Sequence, residues 1–388
     1  MGCSALIMVL VQPPAVMAGT TPDATTTAPL PVPAETIAPP PDSPFSETVG
    51  GAPLATVGAP VVSATAPPLP AVEAPAWLVA DLDSGSVLAA LDAHAPLPPA
   101  STLKLLTALA VLPSVDAGET YTATEHDART EGSRVGLVPD HQYTVADLEH
   151  GLLLASGNDA ARALAAIVGG DAHAAALMND EAARLGAFDT NAVNPHGLDA
   201  PGQVSSAYDL ALIARAVLAD EHLAGLVRTS TYDFPGMDGA TFQIQNHNRL
   251  LGDYAGAIGL KTGYTDRSGH TLVAAAERNG SRLVAVVLGA ERRAEPVAQA
   301  LLDWGFAARA LAEPVGTLVT REQVADAVAA GAQAQNPAAN PDTAANAMDT
   351  EQDPAWLWAA AAAAGLAAVS LVLWRRRRRP AGRYADRV

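Results

Sequence analysis

A hydroxyl and an amine three residues apart carry the clearest chemistry in this chain. They are Ser101 and Lys104 of Pro98-Pro99-Ala100-Ser101-Thr102-Leu103-Lys104, which runs into the apolar stretch Leu105 to Leu112. Leu103, Leu106, Leu109 and Ala110 recur at helical spacing and Pro113 stops the run, so the spacing predicts a helix that begins at Ser101. Unpaired N–H groups point outward at such a start and favour negative charge. Lys104 lies one turn on, along the same face. A serine attacks a carbonyl when a base takes its proton and donors hold the oxyanion. This heptapeptide supplies all three.

Lysine usage sharpens the point. Among 23 basic residues only Lys104 and Lys261 are lysines. Arginine keeps its proton at any workable pH, whereas a lysine amine loses it when desolvated or set beside another cation. Lys261 begins Lys261-Thr262-Gly263, and Ser156-Gly157-Asn158 lies between the two lysines. The order S-x-x-K, S-x-N, K-T-G is the motif set of penicillin-binding proteins and serine β-lactamases.

On these motifs the chain resembles the D-alanyl-D-alanine carboxypeptidases of the low-molecular-mass penicillin-binding type, serine peptidase family S11. The likeness covers roughly Ala76 to Val319. It includes Leu153-Leu154-Ala155-Ser156-Gly157-Asn158-Asp159-Ala160-Ala161, Asn194-Pro195-His196-Gly197-Leu198, Gly259-Leu260-Lys261-Thr262-Gly263-Tyr264-Thr265 and Asp303-Trp304-Gly305-Phe306. It implies Ser101 as the nucleophile of an acyl-enzyme and Lys104 as general base. Ser156 would relay a proton to the leaving amine, and Asn158 would position Lys104 or the substrate backbone. Lys261 and Thr262 would hold the free carboxylate of a terminal D-Ala, with Gly263 allowing close backbone approach. The oxyanion donors would be the N–H groups of Ser101 and Tyr264, and Arg292 or Arg293 a second cation. The implied substrate is a peptidoglycan stem peptide ending in D-Ala-D-Ala, with β-lactams as covalent inhibitors. No cofactor or metal is expected: neither H-E-x-x-H nor G-x-S-x-G occurs. His196 reads as a turn residue and Glu149-His150 as an exposed helix pair.

Three other activities fit parts of the chain. A class A β-lactamase uses a Glu on a loop after S-D-N to activate water, but Asp189 to Pro195 holds no Glu, so stable acylation by penicillin is expected. A transpeptidase would share the acyl-enzyme. A non-enzymatic wall tether would suit the Pro/Thr-rich spacer, yet retention of both lysines argues against it.

The elements that must position these residues follow from pattern. Ala76–Leu82 and Ser86–Ala90 read as a hairpin. Thr144–Leu154, Asn158–Val168, Ala172–Leu185 and Ser206–Leu218 read as helices, the last with Ser206 as N-cap. Ala257–Thr265 reads as a strand, and Leu272–Glu277 with Arg282–Leu288 as a hairpin around Asn279-Gly280. Glu295–Ala310 is a helix with Pro296 at its first turn. Strands at both ends with helices between predict an α+β fold of β-lactamase/DD-peptidase type. It has an antiparallel sheet flanked by helices, whose first and last hairpins are neighbours, plus a helical subdomain.

The ends read as non-globular around a catalytic domain at 76–319. Residues 1–18 resemble a secretory signal without its basic start, and 19–75 a Pro/Thr/Ala-rich linker. Residues 320–354 read as a second linker. The uncharged stretch 355–374, with Trp356, Trp358 and Trp374 at its ends, predicts a single C-terminal transmembrane helix. A basic cytoplasmic tail at 375–388 then places the catalytic domain outside the cell membrane. Cys3 is the only cysteine, so no intrachain disulfide is possible. The formal net charge is −18, and 16 basic against 40 acidic groups precede Arg375. That balance excludes nucleic acid as a partner.

Overall fold

The computed structural model describes residues 43–116 and 118–335. Val61–Val62 (β1) precedes the first hairpin, Ala76–Asp81 (β2) and Ser86–Leu91 (β3). Ser101 then falls in a 3-10 turn, Ala100–Leu103, that feeds helix α1, Lys104–Val111. The helix therefore starts three residues later than its apolar spacing suggests. Ala100 takes a left-handed φ of 50°, which an α-helix cannot include.

A helical block follows. Thr120–Thr122 (β4) pairs with Gln142–Thr144 (β5), with the short helix Glu125–Ala128 (α2) between them. Then come Val145–Leu153 (α3), Asn158–Ile167 (α4), Asp171–Leu185 (α5), Ala207–Ala219 (α6) and Glu221–Arg228 (α7). Capping fixes two of these starts. Thr144 and Asp147 bond reciprocally at the head of α3, and Ser206 Oγ accepts from Asp209 N at 3.1 Å at the head of α6. A ribbon of Thr231–Pro235 (β6) and Thr241–Gln245 (β7) and the short helix Leu250–Asp253 (α8) return the chain to the sheet. Ala257–Thr265 (β8), Gly269–Arg278 (β9) and Ser281–Ala290 (β10) complete it, followed by Ala294–Ala308 (α9), Gly316–Thr317 (β11) and Arg321–Gln335 (α10).

The sheet order is β1-β3-β2-β10-β9-β8, with β11 also on β3 and every pair antiparallel. The first and last hairpins are neighbours, Trp77 lying opposite Val287. Period-two alternation sends the strands into two cores. Val284, Val286 and Leu288 of β10 join the core of the helical block, with Leu105, Leu106 and Ile213. Leu283, Ala285 and Val287 join Trp77, Leu301 and Leu302 under α9. Burial on both faces explains why these strands read as unbroken apolar runs. β8 is left at the sheet edge, against the Ser101 turn.

Three expectations need correction. Among the described residues no helix is long and apolar enough to cross a membrane. The longest, α5, α9 and α10, have 15 residues each, or about 22 Å at the helical rise, short of the ~30 Å of hydrocarbon. The stretch 355–374 lies outside the described residues, as do 1–18 and 375–388. Over the described residues the fold is thus the α+β domain, with no membrane-spanning helix among them. Residues 43–75, expected as linker, pack on the domain. Leu54 is buried, β1 covers the edge of β3, and Trp304 Nε1 donates to the Pro67 carbonyl at 3.0 Å. Residues 321–335, also expected as linker, form α10. A reciprocal cap between Thr320 and Gln323 starts it and Val324 is buried.

Candidate active site

The Ser101 turn is wedged between two glycines. On the sheet side, a Cβ at Gly263 would sit 2.7 Å from Ser101 N and 2.9 Å from Ala100 Cβ, so only glycine lets β8 approach this closely. On the other side, Gly197 has φ 85°, and a Cβ there would come within 2.1 Å of the Ala100 carbonyl oxygen. Two threonines pin the turn's entry: Thr102 Oγ1 and Thr271 Oγ1 of β9 both donate to the Pro99 carbonyl, at 2.6 and 3.0 Å. The backbone at Ser101 is thereby held from three directions.

Lys104, the first residue of α1, is fully buried. Its Nζ donates to Ser101 Oγ at 2.9 Å, to Asn158 Oδ1 at 2.6 Å and to the His196 carbonyl at 2.5 Å. Burial pushes its pKa well below the ordinary lysine value and the charge of Lys261 adds to this, while Asp159 opposes it. The amine is therefore fixed in direction and easily stripped of its proton. Asn158 is held in turn, because its Nδ2 donates to the Glu131 carbonyl at 2.6 Å. Asp159, next in the chain and fully buried, accepts from the N–H groups of Val135, Gly136 and Leu137 at 2.9, 2.8 and 3.0 Å. It fastens the 131–137 loop over the Ser156 turn. Ser156 is buried in that turn, between α3 and α4.

Lys261 lies in the middle of β8, and its side chain is buried. Burial pushes its pKa down to about 7. Nζ donates to the Thr262 carbonyl at 2.9 Å, which leaves two donors of the ammonium for a ligand. Thr262 is half-buried and Tyr264 exposed, its hydroxyl donating to Asp266 at 3.1 Å. Of the two candidate second cations, Arg293 is exposed and paired with Glu295 at 2.7 Å, and Arg292 is exposed beside it.

Backbone strain marks the same three motifs. Seven non-glycine residues among those described take positive φ, and four of them are Asp or Asn, which tolerate it. The other three are Ala100, Ser156 and Leu260, at 50°, 58° and 81°. One precedes Ser101, one is the S-x-N serine and one precedes Lys261. Each costs on the order of 1–3 kcal/mol and persists only where packing over-determines it, as at functional sites.

The eight predicted residues thus fall at one junction of sheet and helical block. Pattern reading missed three others. His196, expected as a turn residue, gives its carbonyl to Lys104, while burial and Lys104 push its ring's pKa down to about 3. Asp159 adjoined a motif without an assigned role. His247 donates its backbone N–H to the Leu154 carbonyl at 3.0 Å, beside the Ser156 turn, and no motif flagged it. Away from the cleft, His94, Asp189 and Asp209 bring three potential metal-ligand atoms within 4.8 Å of one another. His94 Nδ1 already bonds Asp189 at 2.7 Å, and Nε2 faces the Val49 carbonyl at 3.1 Å, so this cluster braces residues 43–75.

Known proteins share this fold. Residues 61–292 match the D-alanyl-D-alanine carboxypeptidase family, peptidase S11. The D-alanyl-D-alanine carboxypeptidase DacB2 of Mycobacterium tuberculosis is 45% identical over 247 residues, which are 62% of this chain and 84% of the relative. A crystal structure of a D-alanyl-D-alanine carboxypeptidase from M. tuberculosis H37Rv superposes with a TM-score of 0.64 at 43% identity, over 66% of this chain and all of that one. Penicillin binding protein 6B from Escherichia coli gives a TM-score of 0.57 at 34% identity, over 63% of this chain and 81% of that one. The chain belongs to the D-alanyl-D-alanine carboxypeptidase family, peptidase S11.

Proposed function

We propose that this chain is a serine-type D-Ala-D-Ala carboxypeptidase that removes the terminal D-alanine from peptidoglycan stem peptides through an acyl-enzyme on Ser101. Membership of the peptidase family supports the reaction class. The observation that carries the reading is the Lys104 amine 2.9 Å from Ser101 Oγ, buried and beside a second cation.

Neutral Lys104 Nζ takes the Ser101 proton as Oγ bonds to the carbonyl carbon of the penultimate D-Ala. The carbonyl electron pair moves onto oxygen, which the N–H groups of Ser101 and Tyr264 receive. Collapse of this intermediate breaks the C–N bond. The proton held by Lys104 passes through the Ser156 hydroxyl to the departing amine, and water later hydrolyses the ester. Lys261 and Thr262 hold the carboxylate of the terminal D-Ala, and Gly263 lets the substrate-bearing strand lie close to Ser101. Asn158 fixes Lys104 through the 2.6 Å contact.

A β-lactam presents its strained amide to the same hydroxyl and stays bound as a ring-opened ester. In the loop after Ser156-Gly157-Asn158, Asp189 is tied to His94 at 2.7 Å and Asn194 accepts from Gly197 N at 2.8 Å. Neither is free to activate a deacylating water. The substrate's location makes the domain extracytoplasmic. Purified protein should release D-alanine from a diacyl-Lys-D-Ala-D-Ala peptide, and mass spectrometry after penicillin should find a long-lived adduct on Ser101. Retention of both activities by Ser101→Ala, or rapid turnover of the lactam, would overturn the assignment.

A further inference from the structure

His94, Asp189 and Asp209 form a cluster that the steps above do not use. Each offers one potential ligand atom, and the three atoms lie within 4.8 Å of one another. His94 follows β3, Asp189 lies in the loop after α5, and Asp209 sits in the first turn of α6. The buried His94 ring packs on Tyr208, with centroids 4.7 Å apart. Its Nε2 stands 3.1 Å from the Val49 carbonyl, which can only accept, so Nε2 carries a proton and donates. Nδ1 faces Asp189 Oδ2 at 2.7 Å. A nitrogen lone pair and a carboxylate oxygen at that distance need a cation to share, either a second ring proton or a metal ion.

Asp209 decides between the two. It is 1% exposed. Its Oδ2 accepts from Thr190 Oγ1 at 2.7 Å, while its Oδ1 is buried and has no hydrogen-bond partner among the described residues. A second proton on His94 offsets only one of the two carboxylates. The other stays a buried anion with an unpartnered oxygen, which is costly. A divalent ion offsets both and supplies that oxygen with a partner. A ring N–H held by a backbone carbonyl is also how metal-ligating histidines are oriented.

We propose that His94, Asp189 and Asp209 bind one zinc ion, in a structural site apart from the Ser101 cleft. The ligands are His94 Nδ1 and one carboxylate oxygen from each aspartate. Imidazole among carboxylates suits zinc, whereas calcium and magnesium favour oxygen ligands alone. Ligand atoms about 2.0–2.2 Å from a tetrahedral ion stand roughly 3.3 Å apart, so small side-chain rotations bring these three onto it. Asp189 is only half-buried and gives the ion a way in. Through His94 and its Val49 contact the ion fastens residues 43–75 to the head of α6.

The test strips the full chain with EDTA and titrates it calorimetrically with ZnCl2 near neutral pH, with Tm followed alongside. Wild type should take up one zinc per chain, and saturating zinc should raise Tm by several degrees. His94→Gln keeps an N–H for the Val49 carbonyl but loses the ligand. It and Asp189→Asn should each weaken uptake by about 100-fold or more and abolish the rise in Tm. Co2+ in place of zinc should give visible absorption bands that both variants lose. Zinc bound equally by the variants is adventitious binding at surface histidines and overturns the proposal. A wild-type Tm that zinc leaves unchanged does so without recourse to any variant, and an equal response to CaCl2 overturns the choice of ion. Penicillin labelling of the zinc-free protein reports on the carboxypeptidase reading separately, because no catalytic step passes through this cluster.

Discussion

Replacing Gly197 by alanine should harm catalysis far more than folding. A Cβ at this position would lie 2.1 Å from the Ala100 carbonyl oxygen and 2.7 Å from its carbon. Both are backbone atoms, so no side chain can turn aside. The oxygen must retreat by about 0.9 Å to reach the 3.0 Å below which real Cβ contacts essentially do not occur. Ala100 directly precedes Ser101, so the shift passes to an Oγ that stands 2.9 Å from Lys104 Nζ. A misplacement near 1 Å costs on the order of 10²-fold in rate, or about 2.7 kcal/mol of barrier. The left-handed φ of 85° adds strain of roughly 1–2 kcal/mol for any L side chain.

Gly202 separates the two effects. Its φ is 84°, but the nearest atom to a Cβ there is Asn191 Nδ2 at 3.4 Å, an ordinary contact. Gly202→Ala therefore carries the same strain without the collision. The assay is D-alanine release and the rate of acylation by a fluorescent penicillin, alongside Tm. Both variants should lose a few degrees of Tm, and only Gly197→Ala should lose about 100-fold in both rates. A folded Gly197→Ala that acylates at the wild-type rate refutes the wedge. An equal loss in Gly202→Ala points to strain instead of displacement.

Lys104→Arg keeps the charge but cannot give up a proton, so kcat/KM should fall by roughly 10²–10⁴; near-normal turnover would show that Lys104 is not the base. In the proposed mechanism Lys261 must be charged to hold the carboxylate, and its pKa is pushed down to about 7. Its grip is therefore present below that pH and fades above it: KM should rise on the alkaline side, and Lys261→Arg should remove the rise. In the same mechanism Lys104 must be neutral, so the acid limb of kcat/KM should report its proton, displaced well below the ordinary lysine range. Asp159→Ala leaves the N–H groups of Val135, Gly136 and Leu137 without their carboxylate. It should cost about 3 kcal/mol or more by denaturant unfolding, and a loss under 1 kcal/mol would mean that water replaces it freely.

Much of this was legible because local pattern and global fold agree. Strand β8 runs from Ala257 to Thr265 as its alternation predicts, and the S-x-x-K spacing puts the amine against the hydroxyl. What stayed hidden was held by main-chain or long-range contacts. Residues 43–75 look like linker because their apolar residues are scattered without period: Val49, Leu54 and Ala55 are buried, Phe45, Val62, Leu69 and Val72 pack half-buried on the cores, and backbone pairing to β3 and the Trp304 contact add to them. Helix α10 has its cap written in Thr320 and Gln323, yet an Ala-rich sequence offers little apolar face to confirm it. His196 acts through a carbonyl that any residue possesses, so its type carries no signal.

The two lysines are chemically identical, and their surroundings make them different tools. Lys104 Nζ is saturated: three acceptors at 2.5–2.9 Å use all of its ammonium donors, one of them the Ser101 hydroxyl. Nothing remains to bind a substrate, and Lys261 works against its charge. Among the described residues Lys261 Nζ bonds only the Thr262 carbonyl, and its pKa falls through burial. It is an under-satisfied cation in a dry site, a state that an arriving carboxylate relieves. That carboxylate also holds the Lys261 proton in place. An enzyme built this way favours the last residue of a chain, because only there does the substrate bring the anion that completes the site.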